Sequence, residues 1–122
     1  MKNQSVFDDL DLNDGTFLSL TVKNEILSIN INRWNNEKIT ICFYGLLRFT
    51  FNTPDCLCEL NYVSLLSKFM KEALAHRYAK IPTEPNLNFP LDHPYHHYQL
   101  LDVSGNSVLE IIAETANYKE LV

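Results

Sequence analysis

Phe17-Leu18-Ser19-Leu20-Thr21-Val22, then Leu27-Ser28-Ile29-Asn30-Ile31, then Ile39-Thr40-Ile41-Cys42-Phe43 decide the fold, because apolar and polar residues alternate through all three runs. Alternation with a period of two is the mark of a half-buried β-strand. Leu18, Leu20 and Val22 share one face of the first run, and Leu27, Ile29 and Ile31 share one face of the second. A two-residue turn at Lys23-Asn24 sets Leu20 opposite Leu27 and Leu18 opposite Ile29, whereas a slip of one residue would send one apolar set into water. For the next connection, a three-residue loop Trp34-Asn35-Asn36 brings Ile31 opposite Ile39 and supplies an Asn for a left-handed position. Beyond Gly45 the odd-numbered apolar set continues through Leu47, Phe49 and Phe51, so Gly45 marks a bulge in one long strand or a tight break between two.

Downstream the period changes. Tyr62, Val63, Leu66, Phe69, Met70, Ala73 and Leu74 fall on one side of a helix over about 62–78, with Asn61 as its N-cap and Pro82 setting a limit on its end. Residues 81–94 hold four of the five prolines and form an extended loop. A last hairpin runs from about 95 to 114 around Asp102–Asn106. Turning Glu110 and Glu114 outward pairs Leu100 with Leu109 and Tyr98 with Ile111. The expectation is a single α+β domain over 1–122, an antiparallel β-meander plus a C-terminal hairpin forming a sheet packed by one amphipathic helix. A barrel-like all-β form capped by the helix is the alternative. Replacing Ile29 or Phe69 by Asp should unfold either form.

At 122 residues the chain is long enough to bury about two thirds of its surface. It contains no apolar run of membrane-spanning length and no signal-peptide pattern, which gives a cytoplasmic address by default and no membrane role. Three cysteines, Cys42, Cys56 and Cys58, are an odd number and read as reduced thiols. A net charge of -5 argues against nucleic acid, whose phosphates need clustered Lys and Arg, and favours a basic protein partner.

Residues 1–13 read as a mobile or loosely docked acidic arm. Its Asp9-x-Asp11-x-Asn13 opening resembles a calcium loop, but Gly15 comes one position late and Leu20 stands where the bidentate Glu belongs. The alternation of Asp and Leu suits a solvated arm whose leucines touch the core. Cys56, Cys58, His93 and His96 offer zinc-type donors, yet one residue rather than two separates the cysteines and nothing joins the two segments, so no metal and no cofactor is expected. His96 and His97 alternate along a strand, which makes one half-buried and the other solvated. No Gly-rich phosphate loop, nucleophile elbow or linear catalytic pattern is present, so no catalytic residue is assigned and a non-enzymatic role is favoured. The candidate binding residues are the acidic set Asp8, Asp9, Asp11 and Asp14, for steering, and the aromatics Trp34, Tyr44, Tyr95 and Tyr98, for anchoring.

The arrangement Asp14-Gly15-x-Phe17-x-Ser19-Leu20, Leu27-x-Ile29-x-Ile31-x-x-Trp34 and Ile41-x-Phe43-x-Gly45-Leu46 resembles the opening of small uncharacterised bacterial families, some of them immunity proteins of polymorphic toxin systems. The likeness spans residues 8–51. It implies a sheet-based binding protein that neutralises a basic toxin, with no shared catalytic residues. The alternative is a small enzyme or ligand-binding protein with a site near His93–His97.

Overall fold

In a computed structural model, which describes residues 4–52, 56–64, 66–79 and 92–121, the three alternating runs form strands β1 (Thr16–Lys23), β2 (Ile26–Asn32) and β3 (Lys38–Tyr44). The β2–β3 register is the one parity demands, with Ile31 opposite Ile39, Ile29 opposite Ile41 and Leu27 opposite Phe43. Arg33 and Glu37 close the loop by a backbone bond, and Asn36 takes the left-handed position with φ 66°. Between β1 and β2 the turn is Asn24-Glu25, both with positive φ, in place of Lys23-Asn24. Leu20 therefore faces Ile29 and Val22 faces Leu27, a shift of two residues that leaves parity intact. A bulge between Phe17 and Ser19 re-aims the start of β1, so that Phe17 pairs with Ile31 and Leu18 is left 49% exposed.

Gly45 is a break rather than a bulge. It adopts φ 65°, and after it β4 (Arg48–Phe51) leaves the meander and pairs with β7 (Ser107–Ala113). A second crossing lies against the first: Glu114 alone separates β7 from β8 (Thr115–Leu121), which returns to pair with β3. The Glu114 amide donates to the Tyr44 carbonyl, and a Cβ at Gly45 would run into the Glu114 side chain. Glycine is thus required there both by φ and by space.

With β5 (Leu57–Tyr62) and β6 (His96–Asp102), the strands form two four-stranded antiparallel sheets, ordered β1-β2-β3-β8 and β4-β7-β6-β5. Leu100 pairs with Leu109 and Tyr98 with Ile111, as the hairpin pattern requires. The sheets bury their apolar faces on each other: Leu27, Ile29, Ile41 and Phe43 from one meet Leu60, Tyr98, Leu100 and Ile111 from the other. The meander is therefore covered by the second sheet, and the one helix among the described residues, α1 (Lys68–Arg77), packs on that second sheet's opposite face through Met70, Ala73 and Leu74 against Ile112. This is an α+β domain of meander, hairpin and one packed helix.

The helix is shorter than the 62–78 expectation, and its N-cap is Ser67, whose Oγ accepts from the Met70 amide, rather than Asn61. Asn61 and Tyr62 belong instead to the end of strand β5, which the sequence pattern does not assign. A bulge between Leu57 and Glu59 puts Leu57 and Leu60 on one face at a spacing of three, which imitates a helical repeat.

The acidic segment, read from sequence as mobile or loosely docked, is tied down by backbone hydrogen bonds from Gln4 onward. Val6 donates to the Leu60 carbonyl, Tyr62 to that of Gln4, Asp14 to that of Leu57 and Leu57 to that of Gly15, so residues 4–15 sheathe the outer edge of β5. Leu12 enters the core, with Leu10, Val6 and Phe7 packed against it, while the aspartates face water. Of the proline-rich stretch 81–94, residues 81–91 lie outside the described residues.

Candidate functional site

Two adjoining features of the β5–β6–α1 region distinguish it from the rest of the surface. The first is a buried polar chain. His97 and Gln99 on β6 point to the helix side of their sheet, where Gln99 stands opposite Glu110 and His97 lies diagonal to it. His97 Nε2 lies 2.5 Å from Glu110 Oε1, and the other carboxylate oxygen accepts from Gln99 at 2.9 Å and from the Ser107 hydroxyl. His97 Nδ1 lies 2.9 Å from Ser67 Oγ, the helix N-cap. Burial alone would push the Glu110 carboxyl up, but hydrogen bonds from His97, Ser107 and Gln99, with the charge of His97, outweigh it and hold the carboxyl below its ordinary range. An ionised Glu110 only accepts, so Nε2 carries its proton toward it, and Nδ1 shares the second hydrogen bond with the Ser67 hydroxyl. His97 is 5% exposed, and Phe69 covers its ring at 5.6 Å.

These are the side chains of a nucleophile–base–carboxylate relay. Here Ser67 Oγ also accepts the Met70 amide. Both of its roles fasten α1 to β6, and the chain satisfies a buried imidazole and a buried carboxylate at once.

The second feature is a cleft of about 480 Å³ above this chain, between the end of β5, the start of α1 and the start of β6. Tyr62, Val63, Leu66 and Met70 give it apolar and aromatic walls; Gln4, Ser64, Tyr95, His96 and the edge of His97 complete it. The Tyr62 and His96 rings meet edge to face at 5.6 Å. Strand alternation predicts one half-buried and one solvated histidine; in the structure His97 is buried and His96 is exposed.

The residues singled out from sequence fall in three places. Asp8, Asp9, Asp11 and Asp14 are exposed on the docked segment. Asp9 accepts the Tyr118 hydroxyl at 2.8 Å, and the Asp11 carbonyl accepts Arg33 Nε at 3.1 Å, which ties the acidic segment to the β2–β3 loop. The next residue in that loop, Trp34, is 63% exposed. Tyr44 sits at the other end of β3, about 20 Å away by strand rise, with its hydroxyl toward Asn117. Tyr95 belongs to the cleft, where it stacks on His93. Tyr98 is corrected: at 1% exposure it is a core residue in edge contact with Phe43, and burial pushes its hydroxyl's pKa up, so it anchors the sandwich and no partner.

Cys56, Cys58, His93 and His96 do not converge. Antiparallel pairing sets Leu57 opposite Asp102 and Tyr62 opposite Tyr98, so the thiols and the histidines lie at opposite ends of β6. Among the described residues no group of His, Cys, Asp and Glu has a metal-holding arrangement. Burial, then the charges of Glu59, Asp11, Asp14 and Asp102, push the Cys58 thiol up, which disfavours the thiolate a metal or a nucleophilic role would need. Burial and the neighbouring His96 hold His93 below its usual value.

Tyr62, Val63, Leu66 and Met70 were hidden in the sequence because their spacing read as one continuous helix face. No described helix is long and apolar enough to cross a membrane. The fold and site define a class, a two-sheet α+β domain with a helix-backed cleft and an acidic, tryptophan-bearing edge. No protein-family model, curated protein or solved structure matches the chain.

Proposed function

We propose that the protein is a non-enzymatic binding module whose partner is a basic protein, and that the resemblance of residues 8–51 to toxin-immunity families points to a basic toxin as that partner. The carrying observation is the Arg33–Asp11 contact, which places exposed Trp34 beside a docked, and therefore ordered, acidic segment. Fixed carboxylates steer a cationic surface and cost less ordering on binding than carboxylates on a loose arm. Trp34 supplies what charge does not, a large aromatic area to desolvate.

The test is capture of the protein encoded by the neighbouring gene, followed by titration at low and high salt. Affinity should fall steeply with salt and less steeply once Asp8, Asp9, Asp11 and Asp14 are all changed to Asn. Trp34→Ala should cost about 2 kcal/mol or more of binding. A captured partner whose affinity ignores salt, the four Asn substitutions and Trp34→Ala would place the interface elsewhere.

A further inference from the structure

The cleft over His97 is independent of that partner surface, and its chemistry selects a different kind of ligand. We infer that it binds a small, planar, aromatic molecule without a full charge, of one or two fused rings, that carries a hydrogen-bonding edge.

Size is the first support. About 480 Å³ falls among the pockets that enclose small organic molecules and is too small for a folded element of a partner. Shape and polarisability are the second. Tyr62 and His96 meet at 62° and present aromatic surface on two sides, while buried Met70 forms an apolar floor that adapts to a flat guest.

Charge is the third support. One residue in five of this chain is charged, yet among the described residues no Asp, Glu, Lys or Arg lines the cleft. Among the described residues the guanidinium nearest the cleft, Arg77, is already engaged by Tyr95, so a phosphate ester meets no uncommitted cation in the lining and an ammonium meets no carboxylate there. Glu110 is turned away from this space, committed to His97, Gln99 and Ser107.

Preorganisation is the fourth. His97 is clamped on both ring nitrogens, and Tyr62 is paired across the ladder with Tyr98, so the walls do not have to be ordered when a guest arrives. Gln4, Ser64 and His96 place polar groups at the rim, where they meet the edge of a ring whose faces lie against Tyr62 and Met70.

The experiment is a backbone-amide NMR titration with millimolar indole, an uncharged bicyclic probe, against benzylammonium and phenyl phosphate as charged controls. Indole should give saturable shifts at Tyr62, Val63, Leu66, Met70 and His96, and each control should bind about tenfold more weakly or worse. Met70→Trp fills the cleft with the chain's own indole ring, and Ser64→Trp blocks it from an exposed position; either should weaken indole by about tenfold or more. Trp34→Ala should bind indole as the unaltered protein does, which separates this site from the partner surface. Absence of saturable shifts, shifts that survive both Trp substitutions, or equal binding of a charged control would overturn the inference.

Discussion

On the inner face of the second sheet, Tyr98, Leu100, Leu109 and Ile111 meet the side chains of β2 and β3, and the only polar atom among them is the Tyr98 hydroxyl. On the outer face of the same strands, His97, Gln99 and Glu110 sit beside Ile112 under a ten-residue helix. The inner face is stabilised by area removed from water, which tolerates small errors in position. The outer face depends on each donor meeting its acceptor, since a half-satisfied buried network is worse than none. Alternate residues of one hairpin thus use two kinds of stabilisation, and the polar one is placed where it also positions the helix and the wall of the cleft.

The sharpest way to break the comparison is to put the same charge on each face. Ile111→Asp should abolish cooperative melting, because it strands a carboxylate in a dry core at a cost of about 4 kcal/mol or more. Phe69→Asp should lower the melting temperature while leaving a folded protein, since Phe69 is only half-buried on the helix side. This revises the sequence expectation that Phe69→Asp unfolds the chain as Ile29→Asp does. Equal loss from Ile111→Asp and Phe69→Asp would show that the two faces are not distinct.

Next in size is Glu110→Ala, which leaves His97, Gln99 and Ser107 facing an empty place and should cost about 2–3 kcal/mol in chemical denaturation. The same carboxylate predicts a pH dependence. Its folded-state pKa is depressed, so its contribution is fully present above the unfolded value of about 4.3 and is lost as pH falls below that toward the folded value. Glu110→Gln should flatten the acid limb of the stability curve, whereas Ile111→Val should shift the whole curve down and leave the shape of that limb unchanged. Ser67→Ala removes both the helix N-cap and the Nδ1 partner and should cost about 1–2 kcal/mol. Smallest is Lys68→Ala, which loses a solvent-exposed 3.8 Å ion pair with Glu72 and should change stability by less than about 0.5 kcal/mol.

What the sequence made legible follows the same division. Parity along β2 and β3 and the pairings Tyr98–Ile111 and Leu100–Leu109 were readable because a strand with one dry face writes that face as every second residue. The bulge at Leu57–Glu59 was not readable, because it converts a period of two into three; β5 therefore went unrecognised, and its last residues, Asn61 and Tyr62, read as the cap and start of the helix. β8 was missed for a simpler reason: Ala116 and Tyr118 are its only inward apolar markers described. Of the candidate site, alternation put His96 and His97 on opposite faces without saying which is buried, and Glu110 read as a solvent-facing carboxylate because outward from the sandwich is inward to the helix. Ser67 carried no signal separable from that of any other polar residue before a helix.

The double crossing at Gly45 and Glu114 sets the order in which the chain is able to close. β3 finds one neighbour at once, across the short loop to β2, but its other neighbour is β8, with Lys38 opposite Leu121 and Tyr44 opposite Thr115. During synthesis that edge of the meander stays unpaired until the seven-residue strand β8, more than seventy residues after β3, has left the ribosome, and such long-range closure is slow. Until then the edge beside Ile39, Ile41 and Phe43 is a template for any extended strand that reaches it. A chain that loses residues 115–121 should therefore be drawn toward self-association through β3 rather than toward a smaller soluble fold, and β8 works as the closing seam of the first sheet.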